Sequence, residues 1–119
     1  MTPDRRAEEF SIAPVEGRVH IFVDDAEVID SRRALRLEHA DGSSHVYVPM
    51  DDIRSDLLLA TDDHRQTALG EVHFYTIRTA TATIENAAEY VSEAAAGAEP
   101  LYDHVHFLEG RVRCEFSPA

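Results

Sequence analysis

The residues of this chain best suited to chemistry are imidazoles, carboxylates and phenols, and period-two spacing gathers them on strand faces. In Val72-His73-Phe74-Tyr75-Thr76-Ile77-Arg78, alternation puts His73, Tyr75 and Ile77 on one face and Val72, Phe74 and Thr76 on the other. Glu85 follows at the end of the next expected strand. An imidazole, a phenol and a carboxylate around one pocket suffice for general acid–base catalysis, so His73, Tyr75 and Glu85 are the expected catalytic set. Tyr47, Asn86 and Tyr90 are the expected ligand-binding neighbours, two phenols and an amide. Asn86 has an equal second reading as the cap of the Ala-rich segment after it.

A second group sits near the C-terminus. Tyr102 to Leu108 and Arg111 to Phe116 flank Glu109-Gly110, a two-residue connection suited to a hairpin. That register sets His104 opposite Glu115 and His106 opposite Arg113, with Val105, Phe107, Val112 and Cys114 on the apolar side. The polar side reads as a solvated outer face or as an acid–base pair in which Glu115 orients the His104 ring, which adds His104 and Glu115 to the ligand-binding expectations. His104-x-His106 with His73 leaves the third metal ligand unfixed, so no metal is expected.

Other residue types narrow the chemistry. Cys114 is the one cysteine in the chain, which excludes an intrachain disulfide and a cysteine-based zinc site; its apolar neighbours predict a buried structural thiol. All 11 basic residues are Arg, and without lysine there is no lysine Schiff base.

The elements that must position these groups are mainly strands. Arg18 to Val23 alternates, Asp24-Asp25 turns it, and Glu27 to Ser31 returns as its partner. Arg32 to Leu37 and His45 to Val48 flank the turn at Asp41-Gly42-Ser43-Ser44, and Pro49, with no amide hydrogen, stops the strand. Met50 to Leu57 predicts a turn or single helical turn with acidic residues at its start. Ala60 to Leu69 is polar and predicts the longest irregular connection, whereas Asn86 to Ala98 has the Ala and Glu content of a short helix or mobile flap. Residues 1–16 read as an N-terminal tail, 17–116 as one domain and 117–119 as a C-terminal tail.

Asp30-Ser31-Arg32-Arg33-Ala34-Leu35, Tyr47-Val48-Pro49 and Asp52-Ile53-Arg54-Ser55-Asp56-Leu57-Leu58 resemble the signature of the domain-of-unknown-function family numbered 427, also labelled nucleotidyltransferase-like. Glu85-Asn86-Ala87-Ala88-Glu89-Tyr90 resembles a further block, and Leu101 to Phe116 the closing strands. The resemblance covers Gly17 to Phe116. It implies a mainly β fold, a β-tent-like pair of antiparallel sheets with one short helical segment. Family members usually carry Cys-Pro-Tyr-Lys-Gly where this chain reads Gln66-Thr67-Ala68-Leu69-Gly70, so only the glycine is kept and the thiol and ammonium are absent.

A formal net charge of −12 over 119 residues repels phosphate backbones, and Arg32, Arg33 and Arg36 do not share one strand face, so no nucleic-acid partner is expected. No apolar run reaches membrane-spanning length and the first twenty residues lack a secretion signal's apolar block, which predicts a cytoplasmic protein without a membrane partner. The expected function is small-molecule binding in a largely apolar pocket by an enzyme without metal or organic cofactor, of cyclase, isomerase or lyase type. The alternative is a non-catalytic binding or accessory module; a nucleotidyltransferase follows from the family label alone. A homodimer is a candidate assembly.

Overall fold

The computed structural model describes residues 10–23, 26–80, 82–108 and 112–117. Among them are the strands β1 (Phe10–Pro14), β2 (Arg18–Val23), β3 (Ala26–Ser31), β4 (Leu35–His39), β5 (Ser44–Pro49), β6 (Leu58–Thr67), β7 (Gly70–Arg78), β8 (Thr83–Ala94), β9 (His104–Phe107) and β10 (Val112–Ser117). They form a seven-stranded sheet in the order β1-β4-β5-β9-β8-β7-β6 and a three-stranded sheet in the order β10-β2-β3. Each strand pair is antiparallel. This is the mainly β, two-sheet architecture expected from the sequence.

Alternation builds the inner face of the small sheet. Val19, Ile21 and Val23 of β2 are buried and the residues between them are not. The β2–β3 register moves from Ile21↔Ile29 to Phe22↔Glu27, leaving Val28 as the extra residue of a bulge. Val28 and Ile29 are both buried as a result. They meet Val48, Ile77, Ala88, Val105 and Phe107 of the large sheet in the inter-sheet core. Burying each such aliphatic side chain contributes about 1.5–3 kcal/mol. The opposite face of the large sheet carries a second cluster, Leu37, Tyr47, Val72, Val91 and Leu101.

Four expectations about local structure are corrected. Asn86 to Ala98 is not a helix or flap: most of it lies in β8, between β7 and β9. Ala87, Ala88 and Val91 are buried there, and packing overrides the helix propensity of Ala and Glu. Helical structure among the described residues amounts to three 3-10 turns, at Met50–Asp52, Ser55–Leu57 and Glu99–Leu101; the first two match the turn expected after Pro49. Ala60 to Leu69 is not mainly loop, because β6 runs to Thr67 as an edge strand whose exposed charged residues discourage further pairing. The N-terminal tail does not reach residue 16, since β1 pairs with β4. The hairpin expected around Glu109-Gly110 does not exist, because β9 and β10 belong to different sheets; its two turn residues, like Asp24-Asp25, lie outside the described residues.

A buried polar joint anchors the turn after β5. Ser31 is 1% exposed; its Oγ donates to Asp52 Oδ2 at 2.6 Å and accepts the Arg33 amide hydrogen at 3.1 Å. Arg33 Nη2 donates to Asp52 Oδ1 at 2.7 Å. Burial pushes the Asp52 carboxyl up, but the bonds from Arg33 and Ser31 outweigh it and hold the group below its ordinary range. A depressed folded-state pKa gives stability that is present above the unfolded value, about 3.9, and is lost as pH falls through the folded value. Asp52→Asn should therefore cost about 1–2 kcal/mol at neutral pH, and the gap to wild type should close on acidification below about pH 4. Urea titrations of both proteins across that range check this; a gap independent of pH would contradict it.

Candidate functional site

The geometry of the two sheets leaves one region between them open. β5 begins at Ser44 and β9 ends at Phe107, yet their ladder holds only Tyr47↔His106, Val48↔Val105 and Pro49↔His104. Beyond Tyr47 and His106 the strands are no longer paired with each other. Opposite this opening lies β10, the edge of the small sheet. Its residues Val112, Cys114 and Phe116 are the register partners of buried Val23, Ile21 and Val19, but they are themselves half-buried or exposed, Phe116 at 50%. An apolar inner face without a covering strand is a wall of a cleft.

That cleft has a volume of about 500 Å³, within the range of small-molecule pockets. Ile21, Val112 and Phe116 of the small sheet and Val46 and Phe107 of the large one supply its apolar walls, and Arg36, Ser44, His45, His106 and Cys114 its polar groups. The Arg36 guanidinium lies over the Phe116 ring, 5.6 Å from its centroid. The rings of His45 and His106 are 4.7 Å apart, and that of His106 lies 5.2 Å from its register partner Tyr47, so the two imidazoles border the cleft from the outer face of the large sheet. His106 Nδ1 is 3.8 Å from Glu89 Oε2, its register neighbour on β8. Cys114 is exposed in the cleft rather than the buried structural thiol expected. Partial burial pushes its pKa up against the opposing pull of Arg36, so the thiol is not an activated nucleophile.

The residues expected from the sequence are distributed elsewhere. His73 and Tyr75 share a face of β7, as alternation requires, with register partners Tyr90 and Ala88. His73 Nε2 is 2.8 Å from Glu71 Oε1 and its ring lies beside that of His64. Tyr75 packs edge-on to Tyr90 at 6.1 Å, against the inter-sheet core. Glu85 is exposed, and no hydrogen bond, ion pair or ring contact among the described residues joins it to either. Tyr90 Oη donates to Asp103 at 2.6 Å; burial and this acceptor raise the phenol above its ordinary range. Tyr47 is buried in the outer cluster, its phenol raised by burial and by Glu89. The His104–Glu115 pair is corrected by the same fact that removed the hairpin. His104 lies opposite Pro49, with Nδ1 2.8 Å from the Tyr102 carbonyl oxygen, while Glu115 lies opposite His20 and pairs with Arg113 at 2.7 Å.

Asn86 lines a second cleft, of about 470 Å³, with Asp63, His64, Arg65, Phe74 and Glu89. It is not a helix cap: its φ is +50°, and Nδ2 donates to Asp63 Oδ2 at 2.8 Å. Among the described residues, His20, Glu27 and Asp30 bring possible metal-ligand atoms within 4.8 Å of one another. Asp30, however, holds the Arg18 guanidinium through both carboxylate oxygens, and a cation there has to displace it. His104, His106 and His73 are not gathered into such a cluster.

A family model described as a domain of unknown function (DUF427) matches residues 11–117. This chain belongs to the DUF427 family. The match spans β1 to β10 and so includes every wall of the cleft. A comparison with curated proteins found no match. In this DUF427 protein Gln66 to Gly70 holds the β6–β7 turn. Thr67 Oγ1 accepts the Leu69 amide hydrogen and donates to the Gly70 carbonyl, a structural joint on the far side of the large sheet from β4 and β5. No helix of the described residues is long and apolar enough to cross a membrane.

Sequence reasoning missed Arg36, Ser44, His45 and His106 as a group. One signal for Arg36 was present: it alternates with Leu35 and Leu37, and its register partner Val46 is apolar. A charged residue at an otherwise inward-facing position points to a cavity.

Proposed function

We propose that this DUF427 chain is a small-molecule-binding β domain whose ligand lies in the cleft between β10 and the ends of β5 and β9 that no longer pair with each other. The observation that carries this reading is the convergence of apolar walls from both sheets on a few polar side chains in a volume of about 500 Å³. The chemistry supported there is proton transfer. His106 borders the cleft from the Tyr47 face of the large sheet, its ring 5.2 Å from that of Tyr47, and is 12% exposed with a carboxylate neighbour in Glu89; a ligand reaching between the parting strands would meet an oriented acid–base pair, which suits isomerisation, cyclisation or elimination without metal or organic cofactor. A non-catalytic binding module would use the same cleft and differ in turning nothing over. A nucleotidyltransferase needs several cations for a triphosphate, and Arg36 is the one arginine among the described residues lining the cleft.

Cys114 gives a direct test, because it is the single cysteine of the chain and lies in the cleft. Compounds that raise the melting temperature in a screen should slow alkylation of Cys114 by iodoacetamide, by ~10-fold near saturation if binding excludes the reagent. Stabilising compounds that leave the alkylation rate unchanged would place the ligand elsewhere.

A further inference from the structure

We infer that the occupant of this cleft is a monoanion, a carboxylate on a largely apolar body, with Arg36 as the group that binds the charge. The inference deepens the small-molecule reading and rests on it. The first observation is local inversion of charge. The chain carries 23 acidic and 11 basic side chains, yet among the described residues lining the cleft there is an arginine and two histidines and no carboxylate.

The second is the state of that arginine. Arg18, Arg33, Arg54 and Arg113 are each bonded to a carboxylate of the chain. Arg36 has no carboxylate within ion-pair distance among the described residues; its guanidinium is half-buried and stacked over Phe116. Stacking occupies a face of the planar group and leaves its edge donors for an acceptor, which is the geometry of bidentate carboxylate recognition. Ser44 shares the Arg36 face of the sheet, since Arg36 is opposite Val46 and Ser44 is two residues away, and adds a hydroxyl donor. A single guanidinium matches a single negative charge. In a protein of net charge −12, a polyphosphate would also meet long-range repulsion.

The probes are 2-naphthylacetate and its neutral isostere 2-naphthylacetamide, with binding followed by calorimetry at low salt and location by protection of Cys114 from iodoacetamide. The carboxylate should bind wild type ~10-fold more tightly than the amide and protect Cys114. Arg36→Gln should erase the difference, and Arg36→Lys should keep part of it, a rescue that a merely structural arginine would not show. Because Arg36 also influences the thiol, protection is read as the ratio of rates with and without probe within each variant. Equal binding of both probes in the cleft of wild type would overturn the anion inference and leave the cleft reading standing. Failure of both probes to protect Cys114 would overturn both. Stronger protection by ATP than by the naphthyl acid would overturn the monocarboxylate class.

Discussion

Replacing Gly70 with alanine should destabilise the protein by about 3 kcal/mol or more, a fall in melting temperature of roughly 10 °C or more. Gly70 has a φ of +119°, outside the region L residues favour, and an added Cβ would sit 1.9 Å from the Glu93 carbonyl oxygen and 2.7 Å from the Ala95 nitrogen. Both obstacles are backbone atoms, and neither can turn aside as a side chain could. Relief requires β7 to move away from β8 at the Gly70↔Ala94 pair, where the Ala95 amide also donates to the Leu69 carbonyl. Gly42 provides the control, with a φ of +93° and nothing within 4 Å of a built Cβ. Gly42→Ala should cost only the backbone penalty, about 1 kcal/mol. Denaturant titration of the two variants measures the difference; equal costs would mean the close approach of β7 to β8 is not as described.

His106→Gln should reduce turnover of the native substrate by ~10²–10⁴-fold while leaving the melting temperature nearly unchanged. Glutamine keeps a polar side chain of similar reach and cannot exchange a proton near neutral pH. Glu89 acts through His106 as a positioning residue. Its replacement by glutamine removes the carboxylate that lies 3.8 Å from His106 Nδ1, so it should lower the rate by loosening the orientation of the ring. Full turnover in His106→Gln would assign the acid–base role to another group, and a ligand bound without turnover by wild type would favour the accessory-module reading.

Local patterns made part of this fold legible and hid the rest for identifiable reasons. The β2–β3 hairpin and the stop at Pro49 follow from alternation and from a missing amide hydrogen, both readable within a few residues. β8 was hidden because Ala87, Ala88 and Glu89 favour a helix when taken alone, and only burial between β7 and β9 makes small side chains suitable for a strand. The end of the chain misled in a different way. Glu109-Gly110 has the length of a hairpin turn, but β10 pairs with β2, some ninety residues earlier in the chain, and nothing local records such a partner. The candidate site depended on that pairing. Once β10 belongs to the small sheet, Cys114 and Phe116 move from a hairpin face to the wall of the cleft, and Glu115 leaves His104 for His20. The face shared by His73 and Tyr75 was legible from the two-residue period, whereas the positions of Tyr90 and Glu85 relative to it depend on register shifts in β7–β8 that the sequence does not display.

The central claim is that ligand binds between the sheets at β10. A crystal structure with the most stabilising compound from the screen tests it directly. The account predicts density against Val46, Phe107 and Phe116, within hydrogen-bonding distance of Arg36. Density confined to the cleft of Asp63, Asn86 and Glu89, or to the outer face of the large sheet near Tyr47, would contradict it.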